Sequence, residues 1–193
     1  MPSIHSVAVF CGARSGTNPA HAAAARELGA GLAANGIRLV YGGGRVGIMG
    51  TLADAVLAGG GQVLGVIPEF LTQQEVAHPG VQEMVVTSSM HSRKQHMAEQ
   101  ADAFVSMPGG LGTLDETVEI MTWRLLRLHD KPILLCDVEG SAAPLNALIE
   151  AVIAQGFAGP EARDTFERVS GVPALLDRLR ALPPGPASSA ARL

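Results

Sequence analysis

The feature that most constrains this chain is an alternation. Short apolar runs rich in β-branched residues recur along it, each followed by a longer Ala- and Leu-rich stretch with helical spacing. The runs Ser6–Phe10, Arg38–Tyr41, Gln62–Ile67, Glu83–Thr87, Ala103–Met107 and Ile133–Cys136 are predicted strands. The stretches Pro19–Asn35, Gly47–Ala58, Met90–Gln100, Thr113–His129 and Ala143–Ala154 are predicted helices, and a short strand near Phe166–Val169 precedes a last helix, Val172–Ala181. Repetition of strand, helix, strand predicts parallel strands joined by right-handed crossovers, with helices on both faces. The strands read as continuous apolar runs, as strands buried on both sides do. The expected fold is therefore α/β, a doubly wound parallel sheet in a single domain over residues 1–182. The end of the chain, 183–193 (PPGPASSAARL), can bury little and is expected to be a disordered tail.

Composition limits the function classes. A chain of 193 residues suits one domain. With 23 glycines and only 4% aromatic residues, its core must be aliphatic, with backbones in close approach. The net charge of −4 argues against general nucleic-acid or membrane binding. Cys11 and Cys136 lie in apolar strand-like runs and read as reduced packing residues, not a disulfide framework. No signal-peptide pattern opens the chain, and no run of about 18 uncharged apolar residues occurs, so the expected location is the cytoplasm.

In such a sheet, ligands bind outside the carboxyl ends of the strands. After the second strand comes YGGGRVGIMG (Tyr41–Gly50), in which Gly42, Gly44 and Gly47 satisfy G-x-G-x-x-G. The match either cradles a phosphate, with Gly43 and Gly44 near it, or serves close strand–helix packing. No Gly-Lys-Ser/Thr follows, so it is not a nucleoside triphosphatase loop. Glu69, after the third strand, stands where a ribose hydroxyl is often held.

The strongest local signal follows the fifth strand: Pro108-Gly109-Gly110-Leu111-Gly112-Thr113-Leu114-Asp115-Glu116. Free amides at a helix N-terminus attract an anion. Thr113 can cap the helix or bind a phosphate oxygen, and Glu116 falls just below that anion site. Ahead of it, Arg93 and Lys94 sit early in a predicted helix at the same sheet edge, where basic groups oppose the helix dipole and point to an anionic ligand. Met90, Met97, Met107 and Met121 read as core or pocket lining. The histidines give no metal-ligand spacing, since His91 and His96 are five apart, and no serine-hydrolase elbow occurs. His129 reads as structural, at a helix end.

Together, YGGGRVGIMG, Met90-His91-Ser92-Arg93-Lys94, PGGLGTLDE (108–116), Thr122-Trp123 and His129-Asp130-Lys131-Pro132 resemble the LOG ("lonely guy") family of cytokinin-activating phosphoribohydrolases. The resemblance spans residues 5 to 180. It implies a Rossmann-like fold, a homodimer, no cofactor or metal, and hydrolysis of a nucleoside 5′-monophosphate to free base and ribose 5-phosphate. N6-substituted adenosine monophosphates are the preferred substrates it implies, with AMP accepted. It makes Arg93 and Glu116 the catalytic pair. It makes Gly43, Gly44, Glu69, Met90, Lys94, Gly109, Gly110, Leu111, Gly112, Thr113 and Thr122 substrate-binding positions. Some members carry an old lysine-decarboxylase label, but no pyridoxal-phosphate site is visible here. The chain departs from the family at Ala13-Arg14, where Ser-Ser is common, and at Arg127, where Gly is common.

The expected chemistry places the 5′-phosphate on the amides of Gly109–Thr113 and C1′ within reach of Glu116. Cleavage develops positive charge on the ribose. Glu116 can stabilise that charge and position or deprotonate water. Arg93 either holds Glu116 ionised and oriented or supports the departing purine. The alternative is a non-catalytic nucleotide or cofactor carrier of the same fold, which needs no such pair. A dinucleotide-dependent oxidoreductase fails on size, since no second domain is left to supply the other half of its site.

Overall fold

The computed structural model describes residues 4–72 and 77–183. Its centre is a seven-stranded sheet: β1 (Ser6–Phe10), β2 (Arg38–Tyr41), β3 (Val63–Pro68), β4 (Glu83–Thr87), β5 (Ala103–Ser106), β6 (Ile133–Asp137) and β7 (Glu167–Ser170). The spatial order is β4-β3-β2-β1-β5-β6-β7, and every neighbouring pair is parallel. The helices are α1 (Pro19–Ala34), α2 (Gly47–Ala58), α3 (Met90–Glu99), α4 (Leu111–Leu125), α5 (Ala143–Ala154) and α6 (Gly171–Ala181), with 3-10 turns at Glu69–Leu71 and Pro160–Thr165.

Alternate side chains of β1 feed two cores. Val7 and Val9 pack with α1, α2 and α6 through Leu28, Leu52 and Leu175. Ala8 and Phe10 pack on the opposite face with Met97 of α3 and Ile120 and Met121 of α4. The abundance of small residues has a structural use: a Cβ on Gly29 of α1 would stand 2.6 Å from both the Ala55 side chain and the Leu52 carbonyl of α2. The two helices therefore touch almost backbone to backbone. Both cysteines are buried, as packing residues are, and burial pushes the Cys136 thiol up to about 12.

The doubly wound expectation holds, and all seven strands stand within a few residues of their expected places. Helix α4 differs more. It begins at Leu111, two residues early, so Gly112 and Thr113 lie inside its first turn. It stops at Leu125 because Arg127 adopts a left-handed conformation (φ 59°), which reverses the chain before His129. The expected tail lies outside the described residues from 184 onward.

Chain order runs outward from β1 to β4 and then returns to place β5 on the other side of β1. The crevice between the carboxyl ends of β1 and β5 is therefore the topological switch point.

Candidate active site

A cavity of about 800 Å³ opens at that switch point. Its walls are the β1–α1 loop from Cys11 to Thr17, the start of α2 at Ile48 and Met49, and the β5–α4 loop from Pro108 to Thr113. Met90, Arg93 and Glu116 line it from α3 and α4.

Glycines let its two loops approach. The Gly12 amide donates to the Pro108 carbonyl at 3.1 Å. A Cβ on Gly109 would fall 2.0 Å from Thr113 Oγ1 and 2.9 Å from the Gly12 nitrogen. Position 109 thus has no room for a side chain. The first α4 bond runs from the Leu114 amide to the Gly110 carbonyl at 3.1 Å. The amides of Leu111, Gly112 and Thr113 precede it and sit at the positive end of the helix dipole. Inside that turn, the Thr117 hydroxyl donates to the Thr113 carbonyl at 2.6 Å and lies 2.8 Å from Ser106 Oγ.

Arg93 and Glu116 meet in the cavity wall. They are 4% and 7% exposed, and Arg93 Nη2 stands 3.7 Å from Glu116 Oε1. Arg93 is held on its other sides. Its Nε donates to the Val66 carbonyl at 3.1 Å, Nη2 to the Gly42 carbonyl at 3.3 Å, and Nη1 to Met90 Sδ at 3.7 Å. The helix carrying Arg93 starts at a capping box, with the Ser89 and Ser92 hydroxyls each accepting the other's amide at 3.1 Å. A buried guanidinium with three separate acceptors, beside a buried carboxylate, is a fixed and preorganised pair.

Lys94 points elsewhere. Its Nζ bonds Asp115 Oδ2 at 2.9 Å and lies 2.8 Å from Glu119 Oε2, so it ties α3 to the first two turns of α4. Those carboxylates raise the ammonium's pKa against the opposing effect of its burial. Lys94 does not line the cavity, but the two residues it grips flank Glu116 in sequence.

The other sequence-derived positions divide. Met90, Gly109, Gly110, Leu111, Gly112 and Thr113 all line the cavity. Gly43, Gly44, Glu69 and Thr122 are not among its lining residues. The glycine run after β2 has a packing role. Gly42 offers its carbonyl to Arg93, Gly43 accepts the His78 amide at 2.9 Å, and Gly44 bridges to Ala77. Gly47 has φ 64°, and a Cβ there would meet the Ala13 carbonyl carbon at 2.4 Å, so it seats the β1–α1 loop. Glu69 opens an exposed 3-10 turn whose Leu71 reaches the cavity instead. Thr122 is exposed on α4 and donates to the Val118 carbonyl at 2.8 Å. The β1–α1 loop was not among the expected site residues. Its Gly- and Ser-containing run was the available signal, but only the strand order places it beside β5.

Among the described residues, no group of three or more His, Cys, Asp or Glu is arranged to hold a metal ion, and no helix is long and apolar enough to cross a membrane.

Residues 49–179 match the family model described as "Possible lysine decarboxylase". The chain is 47% identical over 163 residues to the cytokinin riboside 5′-monophosphate phosphoribohydrolase of Rhodococcoides fascians, covering 84% of this chain and 82% of that one. It is 41% identical over 173 residues to the enzyme of that name, LOG1, from Arabidopsis thaliana, covering 90% and 81%. It is 46% identical over 157 residues to the probable phosphoribohydrolase LOGL1 of Oryza sativa, covering 81% and 70%. Among solved structures, the molybdenum cofactor binding protein of Rippkaea orientalis matches with a TM-score of 0.70 at 20% identity, covering 92% of this chain and 96% of that one. The molybdenum cofactor carrier of Chlamydomonas reinhardtii matches at 0.69 and 19%, covering 92% and 97%. Those two likenesses show a shared fold. The sequence identities, spread over most of the chain, go further, and the protein belongs to the LOG family of cytokinin riboside 5′-monophosphate phosphoribohydrolases.

Proposed function

We propose that this protein hydrolyses the N-glycosidic bond of adenosine 5′-monophosphates, N6-substituted or plain, releasing the free base and ribose 5-phosphate. The observation that carries this reading is the buried Arg93–Glu116 pair beside the α4 N-terminus in one cavity. The 5′-phosphate rests against the amides of Leu111, Gly112 and Thr113. That anchor leaves the anomeric carbon near Glu116, one turn below, and converts attack into an intramolecular event. As the bond to the base breaks, positive charge grows on the ribose ring. The Glu116 carboxylate stabilises that charge and takes a proton from the attacking water, while the departing base gains one from solvent, so that neutral base and ribose 5-phosphate result. Arg93, fixed by the Val66 and Gly42 carbonyls, keeps Glu116 ionised and aimed. Lys94 acts from outside the cavity, gripping Asp115 and Glu119 so that the α4 turn bearing Glu116 stays in register.

The working form in this reading is a homodimer. Leu111, Leu114, Val118 and Leu125 make an exposed apolar stripe along α4, continued by Leu126. These residues fall on one helix face at spacings of three, four and seven. Thr122 lies on that same face, so any contact it makes with substrate comes through the interface. Two buried cysteines in strand-adjacent packing positions suit a reducing compartment, and we assign the protein to the cytoplasm.

Purified protein incubated with AMP and with N6-isopentenyl-AMP, followed by chromatography of base and ribose 5-phosphate, tests the activity. Glu116→Gln should lower kcat by roughly 100-fold or more. Unchanged turnover in that variant removes Glu116 from the mechanism. Binding of both nucleotides without release of base favours the carrier reading.

A further inference from the structure

The chemistry above uses only part of the cavity wall. Another part of its wall is the β1–α1 loop, with Arg14 within it and His21 just after it in α1. The backbone of this loop is held on two sides. Its Gly12 amide bonds Pro108, and its Gly12 carbonyl accepts the Met49 amide at 3.2 Å. A Cβ on Gly47 would come within 2.5 Å of the Arg14 nitrogen, so the start of α2 abuts the loop directly. The Arg14 side chain is exposed and has neither a hydrogen-bond nor an ion-pair partner among the described residues.

Among the described residues, the basic and acidic side chains that line the cavity are Arg14, His21, Arg93 and Glu116. Arg93 and Glu116 offset one another. The charge left over is positive, in a chain whose net charge is −4, and it lines the same cavity as the amides at the start of α4. A phosphate monoester carries about −1.5 to −2 at neutral pH. A helix N-terminus presents only about half a positive charge. The α4 amides alone leave most of a bound phosphate's charge uncompensated.

We propose that Arg14 is the specificity-determining residue for the phosphoryl group. Its guanidinium pairs with non-bridging phosphate oxygens on the side away from α4, and it sets the preference for a phosphorylated ribose over the bare nucleoside. A fork of N–H donors suits that task better than a point charge. His21, at the first turn of α1, borders the same oxygens. The proposal rests on reading the cavity as a nucleoside 5′-monophosphate site.

The test uses the full chain with Arg14→Gln and Arg14→Lys, and ribose 5-phosphate as the probe, by titration calorimetry. In parallel, AMP and adenosine are compared as substrates. Arg14→Gln should weaken ribose 5-phosphate binding and raise KM for AMP by about 10- to 100-fold, as loss of a charged hydrogen bond does. Its kcat should stay within about threefold, the preference for AMP over adenosine should fall by the same factor as KM rises, and Arg14→Lys should restore part of both. Thermal stability should not change, since the side chain is exposed. Equal ribose 5-phosphate affinity in wild type and Arg14→Gln overturns the proposal. So does a loss confined to kcat, or a wild-type protein that does not bind ribose 5-phosphate. The calorimetric arm does not depend on turnover. If wild type binds the probe and Arg14→Gln does not, while AMP is never cleaved, the phosphate assignment stands and the hydrolase reading falls.

Discussion

The position of the Arg93 guanidinium can be tested without touching either charged residue. Gly42 has an ordinary backbone conformation, so alanine is tolerated by the main chain there. An added Cβ would stand 2.1 Å from Arg93 Nη2, 3.3 Å from Arg93 Cζ and 3.0 Å from Met49 Sδ. Normal contact requires well over 3 Å, so the guanidinium must retreat by on the order of 1 Å. It cannot retreat freely, because Val66 and Met90 hold its other edges. The move weakens the 3.3 Å bond to Gly42 and disturbs the 3.7 Å approach to Glu116. Overpacking costs about 1–3 kcal/mol, and a weakened charged hydrogen bond adds part of its 1.5–3 kcal/mol. A total of about 2–4 kcal/mol corresponds to a Tm lower by roughly 5–15 °C in a chain of this size. A misplacement of about 1 Å in a reacting constellation costs on the order of 100-fold in rate. Gly42→Ala should therefore lose about two decades of kcat for base release from AMP and still bind ribose 5-phosphate, because the α4 amides are untouched. In an Arg93→Lys background the same substitution should cost little, since the shorter head group leaves the space. Turnover within threefold of wild type, at an unchanged Tm, would show that the guanidinium does not occupy this place.

Three further outcomes follow from other parts of the molecule. Arg127→Gly should raise stability by about 1 kcal/mol, or Tm by about 2–4 °C, because a non-glycine residue at φ 59° is strained; calorimetry that shows a lower Tm contradicts this. His129 is buried, with Nδ1 accepting the Lys131 amide at 3.2 Å and Nε2 3.0 Å from the Ile120 carbonyl, so it is neutral with its proton on Nε2. Burial, aided by the charges of Lys131 and Arg124, lowers its pKa below the ordinary 6.5. The unfolded chain then takes up a proton near pH 6.5 that the folded chain refuses, and stability falls from there down to the lower folded value. Tm should drop between pH 7.5 and 5.5, and His129→Gln should flatten that part of the curve. Val118→Asp, in the apolar stripe of α4, should halve the mass measured by light scattering, and a mass equal to wild type would place the interface elsewhere.

The sequence revealed the strands, their parallel sense and the loop after β5, because buried parallel strands and a glycine-rich helix start are local signals. It did not reveal which loop stands opposite. Two glycine-rich runs precede helices on either side of β1, and local pattern gives both the same phosphate-cradling appearance. The strand order separates them. β5 pairs with β1, so the loop after β1 shares the cavity with Gly109–Thr113. The run Gly42–Gly47 instead fills close contacts and offers a carbonyl to Arg93. Lys94 shows the same limit. Its position beside Arg93 is plain in the sequence, but successive helical residues diverge by about 100°. One therefore enters the cavity wall while its neighbour faces the acids of α4.

The fold is shared with a molybdenum cofactor binding protein and a molybdenum cofactor carrier at about 20% identity, and that likeness is one of fold alone. Binding an anion at the α4 N-terminus requires free amides and a cation that water can reach. It does not require a carboxylate buried one turn below. A buried carboxylate repels the phosphate, and placing it beside an equally buried guanidinium carries a desolvation cost that the pair's attraction need not repay. The chain nevertheless commits Arg93 to three acceptors and sets Glu116 between two residues clamped by Lys94. This expense is intelligible if Glu116 must be ionised, dry and still at the moment a neighbouring ribose becomes cationic. In that state, fixed charge in a low-dielectric wall is worth most. The carboxylate opposes ground-state binding and favours the transition state, which is the differential that catalysis needs. It follows that Glu116→Gln should bind AMP at least as tightly as wild type while losing turnover. A variant that lost both together would mean that the pair serves the fold and not the reaction.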